Sequence, residues 1–278
     1  MTLTLGARAH DFGKLPADQL AEKIAAKGLT SVQLALAKAI DGINSDTGGL
    51  SPGLATRVRD AFQRHGVRIA VLGCYVNLVH PDPAERRQLL ARFKEHLRFA
   101  RDFGCSVVAT ETASLNADWS PHPDNGGETA FRTAIESIGE LVAVAEKFGV
   151  FVCIEGVAHH VMSTPQRLRR MLDTITSPNL QVLFDPVNLL SKDNWQEQDR
   201  VIRESFDLFG DRIVIVHAKD FKLEAGVPKP EVIGRGRFDF ALLASLLQAR
   251  KSGIDVLLEE TTPATIDESI AHVRRMFA

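Results

Sequence analysis

Four side chains that can bind a metal ion or move a proton each follow a short apolar run of the sequence. Glu155 follows "FVCI", Asp185 follows "VLF", His217 follows "RIVIV" and Glu259 follows "DVLL". If these runs are neighbouring strands, three carboxylates and an imidazole converge, and they would repel one another or stay unpaired without a cation. This donor set favours Mn²⁺, Co²⁺ or Mg²⁺ and also admits Zn²⁺. The alternative is that each is an isolated strand-end residue with a partner of its own.

Proline at position 186 marks the point where one of these runs ends. Proline cannot donate to a strand ladder, and it restricts the residue before it to extended conformations. We therefore expect the chain to leave the sheet after Asp185, with this carboxylate at the rim.

Apolar runs without clean alternation predict parallel strands that are covered on both faces. Each run is followed by a helical pattern, and eight such units in 278 residues predict an α/β fold, a single-domain (β/α)8 TIM barrel over residues 1–278. A doubly wound open sheet is the competing fold, but its glycine-rich fingerprint is absent from "ARAHDFGK". The predicted strands are 3–9, 31–36, 67–73, 106–110, 150–155, 180–185, 212–217 and 254–259.

Glycines and prolines mark where the predicted helices end and begin. Apolar residues three or four apart predict helices within 83–103 and 126–148. A Ser, Asp or Thr before a proline predicts helix starts at Ser51, Asp82 and Thr164. A single glycine between a helical pattern and the next strand predicts left-handed helix caps at Gly28, Gly66, Gly104, Gly149, Gly210 and Gly253.

A TIM barrel carries its chemistry at the C-terminal ends of its strands. Four consecutive predicted strands end on Glu, Asp, His and Glu, and this clustering favours the metal site over four unrelated rim residues. The residues at the eight strand ends are, in chain order, His10, Gln33, Cys74, Glu111, Glu155, Asp185, His217 and Glu259.

Composition excludes several classes of partner. The net charge of −2 without a basic cluster argues against nucleic acid. No apolar run approaches the ~20 residues that span a bilayer, so we expect no membrane contact. The start "MTLTLGARAHDFGKL" lacks the pattern of a signal peptide, and three cysteines show no metal-finger spacing. We therefore expect a cytoplasmic protein with reduced thiols, which could form a homo-oligomer.

The segments "CIEGVAHH", "LFDPVNLL", "VIVHAKDF" and "VLLEET", in this order on successive strands, resemble the xylose-isomerase-like TIM-barrel superfamily. That group contains sugar and sugar-phosphate isomerases and epimerases, among them ketose 3-epimerases, hydroxypyruvate isomerase and the inosose enzymes. The resemblance covers essentially the whole chain. It implies that Glu155, Asp185, His217 and Glu259 bind a divalent metal, with Mn²⁺ favoured, and that Glu155 and Glu259 also move the proton.

The chain departs from the superfamily's pattern at two places. Many members have a His three residues after the metal Asp, where this chain has Asn188, and the ketose epimerases usually have Asn-Arg where it has His159-His160. Endonuclease IV, a distant relative, needs further His ligands that are missing here. The predicted substrate-binding residues are His159, His160, Asn188, Lys219, His10 and Glu111.

The predicted chemistry is isomerisation or epimerisation of a ketose, keto-sugar or sugar phosphate, by proton transfer next to its carbonyl. One glutamate removes the carbon-bound proton and the other returns it, while the cation stabilises the ene-diolate. Glu260 should face away from the site if the strand continues, and Lys219 could pair with Asp220 instead of substrate. The loop "IGRGRFDF" could hold a phosphate, and Trp119 and Trp195 could cover the pocket.

Two other functions use the same site. A metal-dependent lyase or dehydratase on a keto-sugar or keto-inositol, of the inosose dehydratase or C-glycoside-cleaving type, needs the same metal and base. A non-catalytic sugar-binding barrel would bind the ligand without exchanging its protons. Product analysis and deuterium exchange separate the three functions.

Overall fold

The structure, a computed structural model, describes residues 4–277 and shows eight parallel strands in a closed barrel with helices around it. The predicted TIM barrel is therefore confirmed, and the open doubly wound sheet is wrong. The barrel strands are β1 (Thr4–Arg8), β2 (Ser31–Leu34), β3 (Arg68–Gly73), β4 (Val107–Glu111), β5 (Phe151–Glu155), β6 (Leu180–Phe184), β7 (Ile213–Ala218) and β10 (Asp255–Leu258). Two further strands, β8 (Asp220–Glu224) and β9 (Val227–Glu231), lie outside the barrel.

The strand order around the barrel is β1-β10-β7-β6-β5-β4-β3-β2. Consecutive barrel strands are neighbours, and β10 closes the ring against β1 through pairs such as Gly6 with Leu257. Every residue of β2 and of β6 is buried, which explains why their sequences lack a polar alternation. The carboxyl ends of β5, β6, β7 and β10 therefore lie side by side at one rim.

Nine α-helices pack around the described residues of the barrel, and each barrel strand is followed by at least one of them. None of these helices is both long enough and apolar enough to span a membrane. The helices are α1 (Ala17–Ala25), α2 (Leu36–Ala39), α3 (Pro52–Arg64), α4 (Pro83–Phe99), α5 (Glu128–Phe148), α6 (Pro165–Thr174), α7 (Gln198–Phe209), α8 (Phe240–Arg250) and α9 (Ile266–Met276).

The predicted helix starts are confirmed by their capping bonds. The side chains of Ser51, Asp82 and Thr164 accept hydrogen bonds from the first-turn amides of α3, α4 and α6, and a proline follows each of them. Helix α4 ends at Phe99 rather than continuing to 103. Five of the six predicted glycine caps have positive φ values between 61° and 82°.

Gly210 is the exception among the predicted caps. Its φ is −58°, in the right-handed region, so the prediction of a left-handed cap is wrong at this position. The chain makes one further short 3₁₀ turn over Gly210–Arg212 before it enters β7, and this turn replaces the abrupt reversal of a left-handed cap.

Strands β8 and β9 form an antiparallel hairpin that the sequence analysis did not predict. They follow β7 directly and pair from Asp220 with Glu231 to Glu224 with Val227. Ala225 and Gly226 make the turn, both with positive φ. The hairpin belongs to the connection between β7 and α8 and stands outside the barrel sheet.

Candidate metal centre and substrate cavity

Four buried side chains meet at the rim formed by β5, β6, β7 and β10. Each offers one nitrogen or oxygen atom, and these atoms all lie within 4.8 Å of one another. Two of the side chains belong to residues inside strands and two to residues that directly follow strands. They are Glu155, Asp185, His217 and Glu259, the four residues that the strand ends predict as metal ligands.

Asp185 is held by the turn that Pro186 starts. Its Oδ1 accepts hydrogen bonds from the backbone N–H groups of Val187, at 2.8 Å, and Asn188, at 3.1 Å. Its Oδ2 is buried and has no hydrogen-bond partner among the described residues. A buried carboxylate oxygen without a hydrogen bond is costly, whereas a divalent cation beside it would satisfy it.

His217 presents Nδ1 to the carboxylates. Nδ1 lies 2.6 Å from Glu259 Oε2 and 3.5 Å from Glu155 Oε1, while Nε2 is 2.7 Å from Gln33 Oε1. The Nδ1 contacts lack the direction of hydrogen bonds. Burial lowers the pKa of His217, but Glu259 and Glu155 outweigh it and raise the pKa to about 10. The carboxylates therefore favour a positive charge at this point.

The three carboxylates have different surroundings. Burial raises the pKa of Asp185 to about 7, despite the opposing effect of Lys219. Burial also raises the pKa of Glu155, whereas Lys219 and His217 outweigh burial at Glu259 and hold its pKa well below the usual range. Three features fit a divalent cation bound by Glu155, Asp185, His217 and Glu259: the donor set, the Asp185 oxygen that has no hydrogen bond, and the carboxylates that favour a positive charge.

Lys219 is a buried cation beside the cluster. Its Nζ lies 3.3 Å from Glu259 Oε1 and 3.8 Å from Asp185 Oδ2, and it donates to Asn188 Oδ1 at 2.9 Å. Burial lowers the pKa of Lys219, but Glu259 and Asp185 raise it above the usual value, so the ammonium stays charged. Lys219 therefore contacts the metal-site residues rather than Asp220.

A cavity of about 390 Å³ opens in front of the cluster. Trp119 lies in the cavity wall. Trp195 instead packs against Arg237, whose guanidinium carbon is 5.7 Å from the centroid of the Trp195 ring. Of the predicted substrate-binding residues, five line this cavity: His10, Glu111, His159, Asn188 and Lys219.

His160 lies behind the wall and is 3% exposed. Its Nδ1 is 3.1 Å from Glu111 Oε2, and its ring packs edge-on against Trp119 and His159 at centroid distances of 5.8 and 4.5 Å. The structure therefore gives His160 contacts that support the cavity wall.

Glu260 also lines the cavity. It was expected to face away from the site, but β10 ends at Leu258 and the alternation of a strand does not extend to position 260. Glu260 has a positive φ of 56°, and its carboxylate lies 3.3 Å from the guanidinium of Arg8. Glu259 joins the four-residue cluster, and Glu260 lies at the more exposed mouth.

The loop after the hairpin does not offer its amides to a phosphate. The carboxylate of Asp220 accepts hydrogen bonds from the backbone N–H groups of Gly234, Gly236 and Phe238, at 2.9 to 3.0 Å. Gly236 allows this close approach, because a Cβ there would lie 2.1 Å from Asp220 Oδ1. These amides are committed to the protein itself.

Sequence reasoning missed three cavity residues with polar side chains: Arg8, Lys38 and Tyr75. Arg8 donates to Glu259 Oε1 at 2.9 Å, and Lys38 lies 4.2 Å above the ring of Tyr75. Arg8 lies two residues before His10, and Tyr75 directly follows Cys74, both of which were taken as strand-end residues. Considering the residues on either side of each strand end would have included them. Lys38 lies on the four-residue helix α2, which has no strand-end signal.

A family profile described as xylose isomerase-like TIM barrel matches residues 21–276. A search of the curated proteins found no match to the chain. A crystal structure of D-psicose 3-epimerase in the presence of D-fructose superposes with a TM-score of 0.75 over 99% of each chain at 16% identity. A 3-keto-D-glucoside 4-epimerase from E. coli gives a TM-score of 0.74 over 99% of this chain and 100% of that one, at 17% identity. The structure of the IolI protein with a bound zinc atom gives a TM-score of 0.73 over 99% of this chain and 96% of that one, at 16% identity.

Proposed function

The chain belongs to the xylose isomerase-like TIM-barrel family, and from that premise we propose that it is a divalent-metal-dependent isomerase or epimerase of a ketose or other keto-sugar. The observation that carries the proposal is the buried cluster of three carboxylates and one imidazole, in which Asp185 Oδ2 has no hydrogen bond and from which Glu155 and Glu259 line an open cavity. The sugar epimerases among its structural neighbours support the substrate class at low identity.

Glu155, Asp185, His217 and Glu259 would hold the cation. Three carboxylate ligands and one nitrogen ligand suit Mn²⁺ best, with Co²⁺, Mg²⁺ and Zn²⁺ as competitors. A bound divalent cation supplies positive charge that stabilises the ene-diolate formed when a proton leaves the carbon next to a carbonyl.

Glu155 and Glu259 move the proton in this proposal. The cationic groups lie closer to Glu259, whose Oε1 is 2.9 Å from Arg8 and 3.3 Å from Lys219 and whose Oε2 is 2.6 Å from His217 Nδ1. Glu155 Oε1 accepts a hydrogen bond from the neutral amide of Asn188 and lies 3.5 Å from His217 Nδ1. Glu155 is therefore the more basic of the two, and we assign to it the removal of the carbon-bound proton. Glu259 first takes up a proton from solvent and then delivers it, to the opposite face for epimerisation or to the adjacent carbon for isomerisation, and Glu155 releases the proton that it removed to solvent.

The cavity suits an unphosphorylated monosaccharide. Its volume of about 390 Å³ lies at the lower end of the range of small-molecule sites. Asn188, Lys219, His10, Glu111 and His159 line it and offer hydrogen bonds to hydroxyl groups. The amides that could have cradled a phosphate are bonded to Asp220 instead.

The test is incubation with Mn²⁺ and a panel of ketoses, keto-inositols and their phosphates in D₂O, followed by NMR. We expect deuterium at the carbon next to the carbonyl of one substrate, together with an isobaric product. Loss of water or of an aglycone would instead show a lyase. Ligand binding without deuterium uptake would show a sugar-binding protein. The Glu155→Gln and Glu259→Gln variants serve as controls, and full exchange in both would contradict the assignment of the proton transfer.

A further inference from the structure

Gln33 contacts His217, a member of the four-residue cluster, from a distant strand of the barrel. It lies on β2, three strands away from β7, and is 1% exposed. Its Oε1 is 2.7 Å from Nε2 of His217, which is equally buried. A carbonyl oxygen can only accept in this bond, so Nε2 carries a proton. A cation bound by the cluster would replace the proton on Nδ1 and take the Nδ1 lone pair.

Tyr75 fixes which way round the Gln33 amide lies. Gln33 Nε2 donates to Tyr75 Oη at 2.5 Å, so the amide nitrogen is turned towards Tyr75 and the amide oxygen towards His217. Gly73 leaves room for this pair, since a Cβ there would lie 3.3 Å from Gln33 Nε2 and 3.4 Å from the Tyr75 ring. The opposite orientation of the amide would place an N–H against the N–H of His217.

The Tyr75 hydroxyl stays neutral and in one position while it accepts the hydrogen bond from Gln33. Burial raises its pKa well above the usual value, and the nearby Glu259 and Glu155 raise it further, so the hydroxyl stays neutral. Lys38 packs over the ring with its Nζ 4.2 Å from the centroid, which holds the ring in place. The phenol therefore keeps one position and one protonation state.

We infer that Gln33 and Tyr75 are positioning residues that fix the tautomer and ring orientation of His217, so that its Nδ1 faces Glu155, Asp185 and Glu259. Gln33 does this directly through its amide oxygen, and Tyr75 does it by holding the Gln33 amide. Partners of this kind on metal-binding imidazoles typically change metal affinity by about 10- to 100-fold when they are removed. The inference rests on the proposed metal site and not on the identity of the substrate.

The test is a titration of the metal-free full-length protein with Mn²⁺, with Co²⁺ absorption as a second readout. Gln33→Leu removes the acceptor, and we expect affinity for Mn²⁺ to fall about 10- to 100-fold with an altered Co²⁺ spectrum. Gln33→Glu keeps an oxygen that accepts from Nε2–H, and we expect it to restore affinity to within about threefold of wild type. Tyr75→Phe leaves the Gln33 amide in place but less constrained. Its loss of Mn²⁺ affinity should lie between the losses of Gln33→Glu and Gln33→Leu.

Gln181→Leu is the matched control. Gln181 is a buried glutamine on β6, the strand next to β7, and its amide donates to the backbone oxygen of Pro178 and does not contact the cluster. It should bind Mn²⁺ as wild type does. Unchanged affinity in Gln33→Leu would overturn the inference, as would equal losses in Gln33→Glu and Gln33→Leu. A protein that binds Mn²⁺ with the expected ranking but exchanges no sugar proton would contradict the proposed function and leave this inference standing. Absence of Mn²⁺ and Co²⁺ binding in the wild type would overturn both.

Discussion

The side-chain amide of Asn188 donates a hydrogen bond of 2.7 Å to Glu155, the carboxylate that we assign to proton removal. The oxygen of the same amide accepts from Lys219 Nζ at 2.9 Å. Asn188 therefore ties the position of the base to a cation that also lies beside Glu259. The related enzymes that the sequence resembles often have a histidine here, and a neutral amide gives this link without a charge of its own.

Replacing Asn188 should slow proton transfer more than it weakens metal binding. Asn188→Leu removes both hydrogen bonds, and losing a buried bond to a charged group costs about 1–3 kcal/mol. We expect deuterium exchange in the substrate to fall roughly 10- to 100-fold, with affinity for Mn²⁺ changed only a few-fold. Asn188→Asp keeps the contact with Lys219 but repels Glu155, so wild-type exchange in that variant would contradict the role of the amide donor.

Metal removal should destabilise the folded protein. A ligand that binds only the native state at about 100 times its dissociation constant contributes about 2.7 kcal/mol. We therefore expect a chelator to lower the midpoint of thermal unfolding by several degrees and Mn²⁺ to restore it. Asp185→Asn should lose this metal-dependent shift, and Glu260→Gln should keep it. A shift that persists in Asp185→Asn would place the cation elsewhere.

The fold was predictable because the signals that begin and end its helices and strands are local in the sequence. These helix ends and strand starts depend on a few adjacent residues, such as Ser51 before Pro52 or Gly149 after α5, and such signals recur along the chain, with Gly210 as an exception. The grouping of Glu155 with Glu259 followed from the rule that strand ends meet at one rim. Both predictions needed only the order of elements along the chain.

The rest of the site depends on contacts that cross the barrel. Gln33 and His217 are 184 residues apart, and only the closure of the barrel brings their side chains within hydrogen-bond distance. Glu260 was misplaced because a difference of one residue in the end of β10 changes the direction of its side chain. The hairpin β8–β9 was missed because β9 is largely exposed and contains two prolines, and β8 alternates charged with apolar residues, so neither has the continuous apolar pattern of the barrel strands.

Tyr75 should also bind substrate through its hydroxyl proton. Its Oη accepts from Gln33, and within residues 4–277 no acceptor is found for its own proton, while the residue lines the cavity. In Tyr75→Phe we expect KM for the substrate to rise about tenfold, the loss of about one hydrogen bond of 1.4 kcal/mol. Steady-state kinetics at saturating Mn²⁺ measures this apart from any loss of metal. An unchanged KM would show that the hydroxyl serves only the Gln33 amide.

The stability of the loop after the hairpin should depend on Gly236. A methyl group at this position meets Asp220 Oδ1 at 2.1 Å and would break the bonds that the carboxylate accepts from three loop amides. We expect Gly236→Ala to lower the free energy of unfolding by roughly 2 kcal/mol or more, because buried acceptors and donors lose their partners. Gly126→Ala is the control, since a Cβ there has nothing within 4 Å. Equal denaturation midpoints for the two variants would contradict the role of Asp220.

The pair Glu259 and Glu260 offers a sharp comparison, since two adjacent glutamates both line the cavity and both contact Arg8, at 2.9 and 3.3 Å. Only Glu259 also reaches His217, 2.6 Å from its Nδ1. Glu259→Gln should therefore weaken Mn²⁺ binding and reduce deuterium exchange about 10²- to 10⁴-fold, the usual loss of a general acid or base. Glu260→Gln removes one partly exposed ion pair and should change exchange only a few-fold. Exchange rates measured by NMR at saturating Mn²⁺ compare the two, and a larger loss in Glu260→Gln would move the acid–base role to the cavity mouth, where the carboxylate is 40% exposed.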